Sequence, residues 1–277
     1  MIVKHRFFFE IIVCIAVICF FNCHTTDLNE REFVFAVADV GQGLSQIGVQ
    51  NDTAIVWDLG TLEMFGNVKA LYRKLGSPFI KYIVISHGDL DHCGGLVGID
   101  TTIRWSGRIV VRPFEDTSSL RKLCHAPGFI SFDVLSAGKQ LQVFGDVEIE
   151  CLWPDSTVDS SDRNTSSFVF SLKHGRNSCL ITSDIDSIAQ RRIIAGNRSI
   201  KTDILIVPHH GSSNFSMLFF QYANPEYAVI SCARNNTFGH PSQETLKSLI
   251  ALNAKISYTF WGGHLFFRSN YYYWVLY

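Results

Sequence analysis

The stretch Ser86-His-Gly-Asp-Leu-Asp-His-Cys-Gly-Gly95 decides how this chain is interpreted, because it places two histidines and two aspartates between His87 and His92. It follows Tyr82-Ile-Val-Ile-Ser86, an apolar run with the length of a buried strand. Imidazole and carboxylate are suitable ligands for zinc, manganese or iron, and a tight loop after a strand lets several converge on one point. The stretch therefore indicates a metal site. Taken alone, it also fits a polar loop that caps the next helix.

Two further strand ends carry the same residue types. Leu180-Ile-Thr-Ser-Asp184 places Asp184 after an apolar run, and Ile204-Leu-Ile-Val-Pro-His-His-Gly-Ser212 places His209 and His210 in the same way. A buried strand that delivers a carboxylate or an imidazole at its end is what a pre-organised site requires. Three such strand ends favour a metal centre over a capping loop. The spacing leaves open which of His209 and His210 is a ligand.

The composition limits the class of protein. A chain of 277 residues with 47% hydrophobic and 18% charged residues can bury a substantial core in one large domain or two small ones. Its formal net charge of −1 excludes a bulk positive field for nucleic acid. The five cysteines after Cys23 are odd in number and lack CxxC spacing, so we expect neither a disulfide framework nor a zinc–cysteine site. We expect Cys93 to be a small buried residue.

The N-terminus has the pattern of an export signal. Lys4 and Arg6 precede the apolar run of residues 11–21, which is too short to span a bilayer comfortably. Cys23 and the polar residues 24–32 follow, which predicts a lipidated cysteine with a tether, as in a bacterial lipoprotein. The alternative is an uncleaved membrane anchor. Both interpretations predict a folded part outside the cytoplasm, membrane-tethered or secreted. No apolar run after residue 21 suggests a membrane span, so we do not expect a DNA channel.

Apolar runs of strand length intercalated with helical segments predict a mixed α/β fold without internal repeats. Strands are predicted at residues 33–38, 45–49, 53–58, 82–86, 108–111, 140–144, 147–153, 167–172, 178–182, 204–207, 228–231, 256–259 and 271–277. Helices are predicted at residues 66–75, 185–195, 216–222 and 242–252. The polar residues 155–167 are expected to form a surface loop.

Seven short motifs occur in order along the chain: Asp39-Val-Gly-Gln-Gly43, Trp57-Asp-Leu-Gly60, Ser86-His-Gly-Asp-Leu-Asp-His92, Asn164 with Ser167, Ser183-Asp184, Pro208-His-His-Gly-Ser212 and Gly239-His-Pro241. From Phe33 to the C-terminus the chain therefore resembles the metallo-β-lactamase-fold hydrolases, specifically the extracytoplasmic hydrolase domain of ComEC-type competence proteins. The resemblance implies a four-layer αββα sandwich over residues 33–277, preceded by a signal or anchor (residues 1–23) and a tether (residues 24–32).

The resemblance also implies a site for two divalent metal ions, zinc or manganese. His87 and Asp89 would serve the first ion and Asp91 and His92 the second, while Asp184 would bridge them and His209 or His210 would complete a site. Four residues are expected to take part in catalysis: Asp91, Asp184, His210 and His240. Residues expected around the ligands are Asp39, Gln42, Asp58, Asn164 and Ser212. Asp58 would orient ligands by hydrogen bonds. For Asp39, Asp58 and His240 a simple turn role stays open.

Three departures from the usual family pattern are visible. Leu44 stands where an acidic residue is usual, and Ser183 stands where glycine usually precedes the bridging aspartate. Many enzymes with this fold also use a histidine between the first cluster and the bridging aspartate. Here the candidates are His174, which we expect to be solvated in a hairpin turn, and His125, which is left open. We expect His264 to be structural.

The implied reaction is hydrolysis of a phosphodiester, with DNA as the candidate substrate, by a metal-held hydroxide that attacks in line. Two alternatives stay open. One is hydrolysis of a small or surface-bound ester, such as a phosphocholine-type diester or a lactone. The other is an inactive metal-binding accessory protein at the cell surface. The presence of every expected ligand favours an enzyme. The expected partners are this phosphodiester substrate and, through the N-terminal lipid or anchor, the membrane; the sequence indicates no protein partner.

Overall fold

The computed structural model describes residues 32–126, 128–158, 162–196 and 198–277. The signal or anchor and nearly all of the tether lie outside these residues. None of the described helices is both long and apolar enough to cross a membrane.

The described residues contain fourteen strands and seven α-helices. The strands are β1 (Phe33–Val37), β2 (Gln46–Gln50), β3 (Thr53–Trp57), β4 (Phe79–Ile85), β5 (Arg108–Val111), β6 (Ser131–Val134), β7 (Val147–Trp153), β8 (Val169–His174), β9 (Asn177–Ile181), β10 (Ile204–Ile206), β11 (Tyr227–Ile230), β12 (Lys255–Tyr258), β13 (Leu265–Ser269) and β14 (Trp274–Leu276). The helices are α1 (Phe65–Lys74), α2 (Leu90–Cys93), α3 (Thr117–Leu123), α4 (Ser187–Ala195), α5 (Met217–Ala223), α6 (Gln243–Ala251) and α7 (Thr259–Gly262). Two 3₁₀ segments, Gly94–Gly98 and Pro208–Gly211, complete the regular structure.

The strands form two mixed sheets. The first has the order β14-β13-β1-β2-β3-β4-β5-β6, and the second has the order β12-β11-β10-β9-β8-β7. β1 to β3 form an antiparallel meander, whereas β3 to β6 run parallel. In the second sheet β9 to β12 are parallel and β7 to β9 antiparallel. Because parallel neighbours end at the same edge, loops after β4, β9 and β10 can meet there.

Three apolar cores separate four layers. The sheets pack face to face through side chains such as Trp57 of the first and Phe170 of the second. Helix α1 covers the outer face of the first sheet with residues that include Leu71. Helices α4 and α5 cover the outer face of the second with residues that include Ile193 and Phe219. Alternate side chains of a strand point to opposite faces, so each sheet supplies two of these cores. The predicted αββα sandwich is confirmed.

Most predicted elements are present, with ends shifted by a few residues. The strand predicted at residues 140–144 is wrong: only Gln140 forms a bridge, to Glu150, although Leu141 and Val143 are buried in the central core. Here the apolar residues alternate because the segment packs against the core, although it does not form the continuous backbone hydrogen bonds of a strand. Two strands, β6 and β13, are absent from the prediction. In β6 the reason is its sequence, because Ser131–Val134 is short and half polar.

The predicted surface loop at residues 155–167 is correct only in part. Its last residues, Thr165, Ser166 and Ser167, are buried. Thr165 Oγ1 donates a hydrogen bond to Asp186 Oδ2 at 3.0 Å, and Ser166 Oγ contacts the buried guanidinium of Arg112. Polar composition therefore marks a segment that is anchored by hydrogen bonds, and this anchoring fixes the position of the neighbouring Arg163 and Asn164.

Candidate metal centre

Loops from both sheets build the site at one edge of the sandwich. His87 and Asp89 follow β4 of the first sheet, and α2 carries Asp91 and His92. From the second sheet, Asp184 follows β9, and His209 and His210 lie in the 3₁₀ segment after β10. The three strand ends that the sequence singles out therefore meet.

Four residues form the centre of the site: Asp91, His92, Asp184 and His210. Each offers one ligand atom, and these atoms all lie within 4.8 Å of one another. Nε2 of His92 is 3.3 Å from Asp184 Oδ2, and Nε2 of His210 is 3.5 Å from the same oxygen. We call this set the four-donor cluster. Two imidazoles and two carboxylates around one point are a suitable ligand set for zinc or manganese.

Several buried ligand atoms of the site have no hydrogen-bond partner among the described residues. They are Nε2 of His87, His92 and His210, and Oδ1 of Asp184. Buried polar atoms in proteins are nearly always satisfied, and leaving one unsatisfied costs about 1–3 kcal/mol. Such atoms on three members of the four-donor cluster and on the neighbouring His87 fit the coordination of divalent cations. These residues therefore fit the metal that the fold implies.

Hydrogen bonds behind the ligands fix their orientation. Asp58 accepts from the backbone N–H of Ser86 at 2.8 Å, and its Oδ2 lies 2.8 Å from Nδ1 of His92. Nδ1 of His210 lies 2.8 Å from the carbonyl oxygen of Ser231, to which it donates. With the proton held at Nδ1, the lone pair of Nε2 in both rings is directed at the cluster.

The cluster holds protons tightly when no cation balances its carboxylates. Burial lowers the pKa of His210, but the Asp184 and Asp91 carboxylates together outweigh burial and raise that pKa to about 9. Burial also lowers the pKa of His92, yet Asp184 and Asp58 hold it well above its ordinary value. Burial raises the pKa of Asp184, and the two imidazoles reverse this and hold it well below its usual range. Protons and metal ions therefore compete for the same atoms.

The structure separates the two adjacent histidines. His210 is buried within the four-donor cluster, whereas the side chain of His209 is 25% exposed, with its Nε2 3.9 Å from Asp184 Oδ2. Both residues have positive φ, 50° and 56°. The backbone N–H of His209 donates to the carbonyl oxygen of Ser183 at 2.9 Å, which helps to hold this uncommon conformation. The turn sends one imidazole inward and leaves the other on the cavity wall.

His87 and Asp89 form the other half of the site. Nε2 of His87 is 3.3 Å from Asp89 Oδ2, and the rings of His87 and His92 are 4.2 Å apart. Asp89 Oδ1 accepts a hydrogen bond from Nη1 of Arg163 at 2.6 Å. The contact with His87, followed by Arg163, holds the pKa of Asp89 below its usual range against the opposing effect of burial. Sequence reasoning misses Arg163, whose one signal is its position beside Asn164.

A cavity of about 580 Å³ opens over the site. Its lining residues are Gln42, Thr61, Gly88, Asp89, Leu90, Asp91, Arg163, Asn164, Asp184, His209, His210, Phe238 and His240. Nε2 of Gln42 donates to Nδ1 of His240 at 3.3 Å, and Oε1 of Gln42 accepts from the N–H of Ala233 at 3.3 Å. Burial and the neighbouring His210 and His209 lower the pKa of His240 to about 4. His240 therefore presents a neutral ring at neutral pH.

Other predicted site residues lie around this cavity without lining it. Asp39 accepts a hydrogen bond from the N–H of Gly41 at 3.4 Å and stabilises its own turn. Its N–H donates to Nδ1 of His264 at 3.1 Å, so His264 has the structural contact expected of it. The N–H of Ser212 donates to the carbonyl oxygen of His209 at 2.8 Å, which supports the histidine turn.

The two candidates for an additional histidine ligand lie elsewhere. His125 is exposed and does not line the cavity. The prediction of a solvated His174 is wrong: the hairpin turn exists, but His174 is fully buried, with Nδ1 2.7 Å from Ser269 Oγ. The end of the chain covers the turn, and the ring of Tyr271 packs edge-on against His174 at 5.3 Å.

The Gly-Gln-Gly turn supports the metal side through its backbone. A Cβ on Gly43 would lie 2.7 Å from the carbonyl oxygen of Asp91, and the N–H of Leu44 donates to that same oxygen at 3.1 Å. Leu44 is buried in the central core, which explains an apolar residue where the family usually has an acidic one. The carbonyl oxygen of Gly43 also accepts from Ser231 Oγ at 2.8 Å. Through its contact with Ser231, which follows β11, the turn before β2 connects the first sheet to the second behind the ligands.

Comparison with known proteins identifies the fold first. Residues 40–150 match the metallo-beta-lactamase superfamily. The metallo-beta-lactamase fold protein YhfI from Bacillus subtilis superposes with a TM-score of 0.57 at 11% identity, over 86% of this chain and 100% of that chain. At that identity the likeness shows the fold alone. The chain has the metallo-β-lactamase hydrolase fold, with a candidate metal-binding cluster at one edge of the sandwich.

Two relatives show which proteins within this fold class the chain resembles. Recombination protein 2 of Haemophilus influenzae is 26% identical over 263 residues, which cover 93% of this chain and 31% of that protein. ComE operon protein 3 of Bacillus subtilis is 25% identical over 189 residues, which cover 67% of this chain and 24% of that protein. The chain is therefore a metallo-β-lactamase-fold protein that resembles the ComEC-type competence proteins, and it spans about a third or less of the length of these relatives.

Proposed function

We propose that this chain is a metal-dependent phosphodiesterase that acts outside the cytoplasm. The observation that carries the proposal is the four-donor cluster, whose buried ligand atoms include several without a partner among the described residues, beside a cavity with a cation, Arg163, in its wall. A metal centre beside an arginine suits an anionic substrate, because the guanidinium can form paired hydrogen bonds with phosphate oxygens.

We propose that the site holds two divalent ions, zinc or manganese. The four-donor cluster would hold one ion, and His87 with Asp89 would hold the other. Asp184 would join them, since its Oδ2 faces His92 and His210 while its Oδ1 is buried without a described partner. When bound, such ions lower the pKa of a coordinated water and stabilise charge that develops on phosphorus oxygens.

The residues of the chain would then orient the substrate. Arg163 reaches the cavity and would contact a non-bridging phosphate oxygen. Since Gln42 donates to Nδ1 of His240, the proton of this neutral ring lies on Nε2, from where it can donate a hydrogen bond to the leaving oxygen. His209 on the same wall would contact the substrate rather than a metal ion. Asp58 and Ser231 would act only through the orientation of His92 and His210.

The test is hydrolysis of bis-p-nitrophenyl phosphate by the chain loaded with manganese or zinc. Asp184→Ala and His92→Ala should each reduce kcat/KM by more than about 100-fold, since even partners behind metal ligands are worth about 10–100-fold. His125→Ala, an exposed histidine outside the cavity, is the matched control and should behave as wild type. Activity that survives both ligand substitutions would reject the metal centre. Hydrolysis of a lactone but of no phosphodiester would replace the substrate class.

We further propose that the domain is held at the outer face of a membrane through Cys23. This rests on the sequence pattern of residues 1–32 and on the resemblance to competence proteins. Expression in a bacterium with a labelled fatty acid should give a labelled membrane fraction, and Cys23→Ala should remove the label. A label-free protein in the cytoplasmic fraction would overturn this placement.

A further inference from the structure

Three rings lead from the four-donor cluster to solvent. The rings of His210 and His240 are 6.2 Å apart with an interplanar angle of 23°, and the rings of His240 and Phe238 are 5.8 Å apart at 25°. The inner ring is buried, whereas Phe238 is 67% exposed and lines the cavity. Phe238 thus presents a large apolar ring in the cavity lining. This ring stacks on His240, which in turn stacks on His210 of the four-donor cluster. We call these rings the aromatic ladder.

Hydrogen bonds fix the outer part of the ladder. Nδ2 of Asn236 donates to the carbonyl oxygens of Ala233 and His240, at 2.8 and 2.6 Å. Oδ1 of Asn236 accepts from the N–H groups of Phe238 and His240, at 3.1 and 3.0 Å. Gln42 holds the ring of His240 through Nδ1. Phe238 is therefore presented by an ordered loop, and a flat ligand could stack on it with little loss of conformational entropy.

The cavity wall also carries a positive charge. Arg163 lines the same cavity with a side chain that is 57% exposed and pairs with Asp89 at 2.6 Å, and three members of the four-donor cluster, Asp91, Asp184 and His210, line it as well. One site thus offers a flat apolar face, a guanidinium and the proposed metal centre. A phosphodiester next to a planar heterocycle matches all three. In a duplex, neighbouring base pairs cover both faces of each base, so an unpaired base fits best.

We propose that Phe238 is a stacking platform for an unpaired base next to the scissile phosphodiester, which makes the site selective for single-stranded nucleic acid. This inference rests on the proposed phosphodiesterase function, because it assigns the substrate of the same site. Phe238 is thereby a specificity-determining residue. Stacking of one base on an aromatic side chain changes affinity by roughly 5- to 150-fold.

Binding tests the platform independently of catalysis. Fluorescence anisotropy of the full chain in EDTA would compare a labelled oligothymidylate with an abasic phosphodiester oligomer of equal length. Wild type should prefer the oligothymidylate by roughly 5- to 150-fold. Phe238→Ala should remove this preference without weakening the abasic complex, and Phe238→Trp should keep it. Phe129→Ala, at a phenylalanine that is 84% exposed and outside the cavity lining, is the matched control.

Equal affinity of wild type for the two oligomers, binding of neither, or a preference that survives Phe238→Ala would overturn the platform. Cleavage of the same oligomers after metal loading reports on the phosphodiesterase itself. A binding preference with no cleavage of either oligomer would reject the phosphodiesterase and keep the platform. Cleavage of both oligomers at equal rates, together with equal binding of both, would keep the phosphodiesterase and reject the platform. Faster cleavage of duplex than of single strands would also count against the platform.

Discussion

Oδ2 of Asp58 lies 2.8 Å from Nδ1 of His92, a residue 34 positions further along the chain, and both side chains are buried. Asp58 follows β3 and His92 belongs to α2, so the contact joins two motifs that are separate in the sequence. Because the carboxylate accepts a hydrogen bond from Nδ1–H, the proton of His92 stays on Nδ1 and Nε2 is left free to face Asp184. This pair links the turn after β3 to the proposed coordination chemistry.

Asp58→Asn should weaken metal binding while the fold persists. The amide has one carbonyl oxygen where the carboxylate has two, so it cannot satisfy Ser86 and His92 together. We expect metal affinity to fall by about 10–100-fold, measured by competition with a chromogenic chelator. Asp203→Asn, at a carboxylate that accepts from Ser178 at 2.7 Å in another part of the second sheet, is the control. Unchanged metal affinity in Asp58→Asn would refute the role of Asp58.

Metal affinity should rise with pH up to about 9. In the metal-free protein the pKa of His210 is raised to about 9, so a metal ion must displace its proton below that pH. Calorimetry in buffers with different ionisation enthalpies should show proton release on binding at pH 7. The metal-free protein should also lose stability as pH rises through about 9, since a raised pKa stabilises the fold below the ordinary value of 6.5. Metal uptake without proton release would contradict this.

The two adjacent histidines should differ in phenotype. His210→Ala removes a member of the four-donor cluster, and we expect metal affinity to fall by more than about 100-fold. His209→Ala removes a side chain of the cavity wall, and we expect near wild-type metal content with a kcat/KM lower by roughly tenfold. Elemental analysis and steady-state kinetics of both variants provide the comparison. Equal loss of metal in both would show that the ligand assignment is wrong.

Arg163→Ala should separate substrate binding from metal binding. Loss of the guanidinium removes a charge-assisted contact to the substrate, so we expect kcat/KM to fall by about tenfold or more. It also frees Asp89, so metal affinity should stay equal or increase. Arg104→Ala breaks a comparable surface pair, with Asp52 at 3.0 Å, and is the control. A fall in metal affinity without a change in KM would assign Arg163 to the metal side instead.

Gly43→Ala should disturb the site through the backbone. The added Cβ would lie 2.7 Å from the carbonyl oxygen of Asp91, so the turn or α2 must shift. We expect a loss of roughly 1–3 kcal/mol in the free energy of unfolding. Gly66→Ala in α1 meets no atom within 4 Å and should leave stability equal or raise it. Urea unfolding with metal titration measures both effects, and a wild-type result for Gly43→Ala would dismiss this contact.

The sequence by itself determined which chemistry is available and roughly where. Apolar runs that end in Asp184 or in His209-His210 predict ligands at strand ends. A buried strand can be recognised from its composition, and it holds the residue at its end in a defined position. The order of seven motifs carries the family resemblance, and that resemblance implies the αββα sandwich. These inferences depend on local composition and order, which a chain displays directly.

Only the tertiary structure decided which side chains meet. His210 enters the four-donor cluster and His209 does not, because two consecutive residues with positive φ turn their rings in different directions, and contacts with Ser183 and Ser231 hold that turn. His174 is buried by a chain end almost a hundred residues away in sequence, 95 positions at Ser269. Arg163 reaches Asp89, and Phe238 extends the aromatic ladder, from polar loops that carry no periodic signal. Side-chain direction in irregular segments depends on long-range packing, and spacing along the chain does not contain it.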